Sequence, residues 1–79
     1  MEKEEARAAV VRRIEQISLA KDPDAVHTAQ LRLMGYMEAL EDQGLLSEKE
    51  VWAFDEQANI AGDKRNAEWL ASHRENKSS

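Results

Sequence analysis

The sequence predicts an all-α fold: a small bundle of three to four helices around a hairpin of helices 2 and 3, with a homodimer as one way to complete its core. Two patterns predict it. Apolar residues recur every three or four positions along most of the chain, the period of a one-sided helical stripe. Two compact stop-and-start signals, Lys21-Asp22-Pro23-Asp24 and the stretch from Gly44 to Glu50, divide that pattern into segments. A chain of 79 residues suffices for one domain, and folding at this size buries only about 60% of the surface an unfolded chain exposes. The helices must share one economical core, to which dimerisation would add buried area.

Helix 1 is expected from Glu2 to about Ala20, with Ala6, Val10, Ile14 and Ile17 on one face. Glu2, Glu4 and Glu5 in its first turn and Lys21 at its end complement the helix macrodipole. Asp22 followed by Pro23 reads as an N-cap with proline at the first helical position, so helix 2 starts there. It carries Val26, Ala29, Leu33, Met37 and Leu40 on one face, flanked by Met34 and Tyr36.

Gly44 fits the left-handed position after helix 2, placing Leu45 against Leu40 in a Schellman closure. Ser47 and Glu50 then form a capping box, with Leu46 stapled onto Val51, and helix 3 begins at once. So short a link makes helices 2 and 3 spatial neighbours. Helix 3 is expected from Glu48 to about Ala61, with Val51, Phe54, Ala58 and Ala61 facing the core. Gly62-Asp63 offers a stop, with Asp63 capping a short helix 4 through Leu70. Lys64 and Arg65 at such a start oppose the dipole, and a continuous, bent helix 3 is the competing reading. Residues 1–72 form the expected single domain. The polar segment from His73 to Ser79 has no apolar anchor and is expected to be a disordered tail.

Eleven Lys and Arg against sixteen Asp and Glu give a formal charge of −5, with 34% of residues charged and 42% apolar. That balance disfavours nucleic acid and anionic lipid and favours a basic protein surface. With no cysteine, disulfides and thiolate metal sites are excluded. Met1-Glu2-Lys3-Glu4-Glu5 lacks the basic-then-apolar order of a signal peptide, and no apolar run approaches the roughly 20 residues that span a bilayer. A cytoplasmic protein without a membrane segment is expected.

No catalytic residue, cofactor or metal is expected. His27 and His73 are the only imidazoles; His27, three residues after Asp24, could supply one edge of a metal site, which needs more ligands than two. Glu38, Glu41, Asp42, Glu48 and Glu50 match no EF-hand loop, and they read as a solvated face or an acidic docking surface. The alternative is a helix-turn-helix-like DNA-binding regulator. Its recognition helix would present Glu48, Glu50, Asp55 and Glu56 to phosphates, leaving contact to Arg7, Arg12, Arg13, Lys64 and Arg65.

Leftover residues point to protein binding. Thr28, Leu31, Gly35 and Ala39 line the back of helix 2, and an interior glycine costs about 1 kcal/mol relative to alanine. Gly35 therefore implies a close neighbour, either another helix of the chain or a partner. Trp52 and Ile60 leave the main face of helix 3, and Trp69 points nearly opposite Leu70; each tryptophan either closes the core of the chain or of a dimer, or serves as a binding hot spot, where tryptophans are enriched. These features predict a non-catalytic protein-binding module, a small regulator or inhibitor of a larger, basic protein. Its expected partner-binding residues are Leu31, Gly35, Glu38, Asp42, Trp52, Glu56 and Trp69. Small phage-encoded inhibitors share this general look, an analogy of fold class carried by no motif.

Overall fold

Capping residues divide the chain into three helices, α1 (Lys3–Ser18), α2 (Pro23–Asp42) and α3 (Glu48–Lys77). The computed structural model describes residues 1–77, with side-chain surroundings through His73. No strand occurs among the described residues, and each helix packs against the other two.

The two stop-and-start signals act locally. At the first, the Asp22 carboxylate accepts a 2.7 Å hydrogen bond from the Ala25 amide, and Pro23 opens α2 without a wasted donor. At the second, Gly44 adopts φ +74°, the left-handed backbone that glycine enters without strain. The Leu45 amide then donates to the Leu40 carbonyl at 2.9 Å and the Gly44 amide to Glu41 at 2.9 Å, the paired bonds of a Schellman closure. Ser47 and Glu50 cap α3 reciprocally: the Glu50 amide donates to Ser47 Oγ at 3.1 Å, and the Ser47 amide to Glu50 Oε1 at 3.0 Å.

The core follows the predicted stripes on α1 and α2. Ala6, Val10 and Ile17 meet Val26, Leu33, Met37 and Leu40, with Leu46 from the link and Ala58 from α3 closing the cluster. Ile14, Ala29, Val51, Phe54 and Ala61 are partly buried against it. Helix α3 is the lesser contributor, and only Ala58 among its apolar residues is fully enclosed.

Three boundaries differ from expectation. Helix α1 ends at Ser18, short of Ala20, through tight Leu19-to-Gln16 and Ala20-to-Ile17 bonds of 3.1 and 3.2 Å. Lys21 is therefore not in its last turn. The cation at this end comes instead from α3, where Arg65 Nε donates to the Ala20 carbonyl at 2.6 Å.

The second difference is the absence of a separate helix 4. Helix α3 runs unbroken through Gly62-Asp63, so Lys64 and Arg65 lie inside a helix, where the dipole objection does not apply. Gly62 is buried because α2 passes close to it. A Cβ there would overlap Gln30 Nε2 and lie 3.2 Å from Val26 Cγ1. Gln30 Nε2 itself donates to the Ala58 carbonyl at 3.3 Å. The early part of α2 thus lies along the second half of α3, and the glycine permits that approach.

Helical backbone continues through His73 to Lys77, where a disordered tail was expected; Ser78 and Ser79 lie outside the described residues. No Gly or Pro interrupts this stretch, and the Trp69 and His73 rings stack one turn apart at 3.7 Å. A 30-residue α3 is about 45 Å long against about 30 Å for α2, and it overhangs the bundle beyond Arg65. The radius of gyration is accordingly 14.5 Å, above the roughly 11.7 Å of a compact domain of this length.

Candidate functional site

Helical geometry puts Leu31, Gly35, Glu38 and Asp42, spaced by four, three and four residues, on the side of α2 opposite Leu33, Met37 and Leu40. All four are exposed, Leu31 at 54%. No other part of the chain approaches Gly35, because a Cβ added there would meet nothing within 4 Å. The close intramolecular neighbour that this glycine implied is absent, and the glycine needing one is Gly62.

On α3, Trp52, Asp55 and Asn59 fall on the same flank as Gly62, the flank that meets α2. Trp52 is 74% exposed. It forms the apolar wall of an open depression of about 390 Å³ whose other walls are Asp55, Glu56 and Asn59. Glu48 and Lys49 line a second depression on the other side of Trp52.

From α2, Met34 lies one turn beyond Gln30 on the flank facing α3, and it is 46% exposed. Sequence reasoning had placed Met34 only as a flank of the core; its signal was the step of four from Gln30. Leu31 and Met34 are thus exposed on α2 and Trp52 on α3, with Asp55 and Glu56 bordering Trp52.

Trp69 stands apart. Seventeen residues of helix separate it from Trp52, about 25 Å along α3. It lies one turn past Arg65 on the core-facing line, is half-buried and stacks on His73. The seven expected partner-binding residues thus divide into a ridge on α2, the Trp52–Glu56 depression and a distant Trp69.

Three charges named from the sequence are engaged inside the molecule. Arg7 forms the ion pair with Glu50, the only one among the described residues, and ties α1 to the cap of α3. The Arg7 hydrogen bond, followed by that of the Ser47 amide, holds the Glu50 carboxyl at about 2, below its ordinary 4.5. The same pairing raises the Arg7 guanidinium. Glu50 is therefore a structural carboxylate, and Arg65 is likewise occupied at Ala20.

The opposite seam, between α1 and α2, has the reverse chemistry. Two adjoining grooves run along it, one of about 320 Å³ lined by Arg13, Gln16, Ala25, Thr28, Ala29 and Arg32. The other, about 270 Å³, adds Arg12, Ala9 and Tyr36. Arg13 lies over the Tyr36 ring with its guanidinium carbon 4.0 Å from the centroid, a cation–π contact that orients it. Three guanidinium groups and no carboxylate line this seam in a chain of net charge −5.

His27 is exposed on α2, and among the described residues no group of three His, Asp or Glu side chains converges as a metal would require. No helix among them is long and apolar enough to cross a membrane. No protein family, curated protein or solved structure matches the chain.

Proposed function

We propose that this chain is a non-catalytic protein-binding module whose α2–α3 pair, acting as a helical hairpin, presents an acidic face with an apolar centre to a larger, basic protein. By covering that surface it regulates or inhibits the partner. The observation that carries this reading is Trp52, 74% exposed beside Glu48, Asp55 and Glu56 on a capped helix. A tryptophan left in water forgoes the burial of about 150–250 Å² that an aromatic side chain brings to an interface. Leu31 and Met34 widen the apolar centre, and the surrounding carboxylates favour encounter with a basic surface.

Nucleic acid draws less support. Of the five basic residues that the sequence put forward for it, Arg7 and Arg65 are engaged at Glu50 and Ala20, and the outer face of α3 carries carboxylates that phosphates would repel.

Affinity capture from native lysate with the wild-type chain, Leu31→Asp and Trp52→Ala tests the proposal. A hot-spot loss of about 2 kcal/mol, roughly 30-fold in affinity, is expected for Trp52→Ala, with circular dichroism unchanged. Equal retention of the same protein by wild type and both variants would remove this face from consideration.

A further inference from the structure

The α1–α2 seam is the inverse of the Trp52 face. Where that face has an aromatic ring among carboxylates, the seam has a groove floored by Ala25, Thr28 and Ala29 and flanked by Arg13 and Arg32. The floor residues are small, so the backbone lies near the surface and an inserted ring meets no bulky side chain. A guanidinium group can pair with a carboxylate bidentately and lie on an aromatic face. Tyr36 already holds Arg13 in that manner.

We infer that the α1–α2 groove is a docking site for the Trp52 face of a second copy of this chain, so that molecules associate head to tail. Trp52 of one copy enters between Arg13 and Arg32 of the next, and Glu48, Asp55 and Glu56 meet the guanidinium groups around it. The inference rests on the reading of the Trp52 face as a docking surface and adds a specific occupant. The argument for that occupant is charge complementarity: a chain of net charge −5 lines two adjoining grooves with three arginines and no carboxylate and sets an exposed tryptophan among Glu48, Asp55 and Glu56, with Lys49 the one cation beside it.

The two faces are different patches opening in different directions, so the contact is heterologous: it leaves a free groove at one end of each assembly and a free Trp52 face at the other. A groove this shallow places the contact at the small end of protein interfaces, below about 1,200 Å² in total, where association is weak and reversible.

Sedimentation and light scattering on the full chain test this. At about 0.01 M ionic strength, where the screening length is about 30 Å, the mass of the wild type should climb above the 9.0 kDa monomer with concentration. It should return to the monomer in concentrated salt. Arg13→Glu with Arg32→Glu, which removes the groove, and Glu48→Lys with Glu56→Lys, which inverts the Trp52 face, should each be monomeric with unchanged helicity.

Mixing those two variants joins the intact Trp52 face of the first to the intact groove of the second. Heteroassociation is expected, because the reversed charges of the two variants also complement one another. A wild type that stays monomeric at low salt, either variant associating alone, or a mixture without heteroassociation would overturn the inference. Should the charge variants unfold, Trp52→Ala and Thr28→Trp, which fills the groove, form the corresponding pair.

The proposed heteropartner is tested separately. Loss of self-association with retained capture by the groove variant leaves the protein-binding reading intact. Self-association without Trp52-dependent capture leaves the head-to-tail contact and removes the heteropartner.

Discussion

Gly35 and Gly62 both sit inside long helices, where glycine costs about 1 kcal/mol relative to alanine, and their surroundings are opposite. At Gly62 the α2 helix comes so near that a Cβ would overlap Gln30 and crowd Val26. At Gly35 a Cβ would meet nothing within 4 Å. The first glycine is explained by the fold, and the fold gives the second no role. One face of α2 is thus shaped by its intramolecular neighbours, while the other is shaped by nothing the chain itself supplies. That asymmetry is the physical basis for placing recognition on the outside of α2 and along its seams.

The largest effect that probes this contrast separates two leucines on one helix. Leu33 is 1% exposed and Leu31 54%. Leu33→Ala is expected to lower unfolding free energy by about 2–5 kcal/mol through a cavity, and Leu31→Ala by no more than about 0.5 kcal/mol. Urea denaturation of both variants checks the pair, and equal losses would erase the distinction between the faces.

Next comes Gly62→Leu, which must push Gln30 and Val26 apart and break the Gln30–Ala58 bond. A loss of about 1–3 kcal/mol from overpacking is expected, visible as a lower thermal midpoint. Gly35→Ala should raise the unfolding free energy by about 0.5–1 kcal/mol, and the midpoint with it, because helix propensity improves and nothing is displaced. If Gly35→Ala stabilised the chain and also weakened capture of a partner, the open space over this residue would be identified as the partner's contact.

The legible part of the fold was what neighbouring residues decide. Asp22-Pro23, Gly44 and the Ser47–Glu50 box each satisfy backbone groups within a few residues, and all three act as the sequence implied. The sequence leaves Gly62 open between a stop and a position inside a continuous helix, because its reason lies on Gln30, thirty-two positions earlier. The end of α1 was misread for a similar cause, since its positive charge arrives from Arg65 across 45 residues.

Of the candidate site, the outward placing of Leu31 follows from helical spacing, whereas Trp52, which the spacing alone leaves free to close a core, is exposed. The separation of Trp69 from them was not anticipated, because it depends on α3 continuing unbroken past Gly62. The basic α1–α2 seam was missed because Arg12, Arg13 and Arg32 share no helix face in the sequence. They converge only when α1 lies on α2 with Arg13 over Tyr36.

The smallest effect concerns the end of the bundle far from Gly62. Glu50 is held at about 2 against an ordinary 4.5, chiefly by Arg7. Because its carboxyl is lowered in the folded chain, the stability it contributes is present above pH 4.5 and lost as pH falls toward 2. Glu50→Gln should therefore flatten the acid limb of a stability–pH profile between those values and leave the slope at neutral pH unchanged. An unaltered acid limb would mean that the Arg7–Glu50 tie contributes nothing measurable.

The overhang of α3 divides the helix into two mechanical regimes. Up to Arg65 its backbone bonds open only when α1 and α2 move away, whereas those near Lys77 open by fraying a single helix end. Amide hydrogen exchange should consequently fall into a staircase along α3, slow around Ala58 and progressively faster toward the C-terminal turns. A protease that attacks such frayed backbone would trim the helix from that end while the three-helix body remained whole.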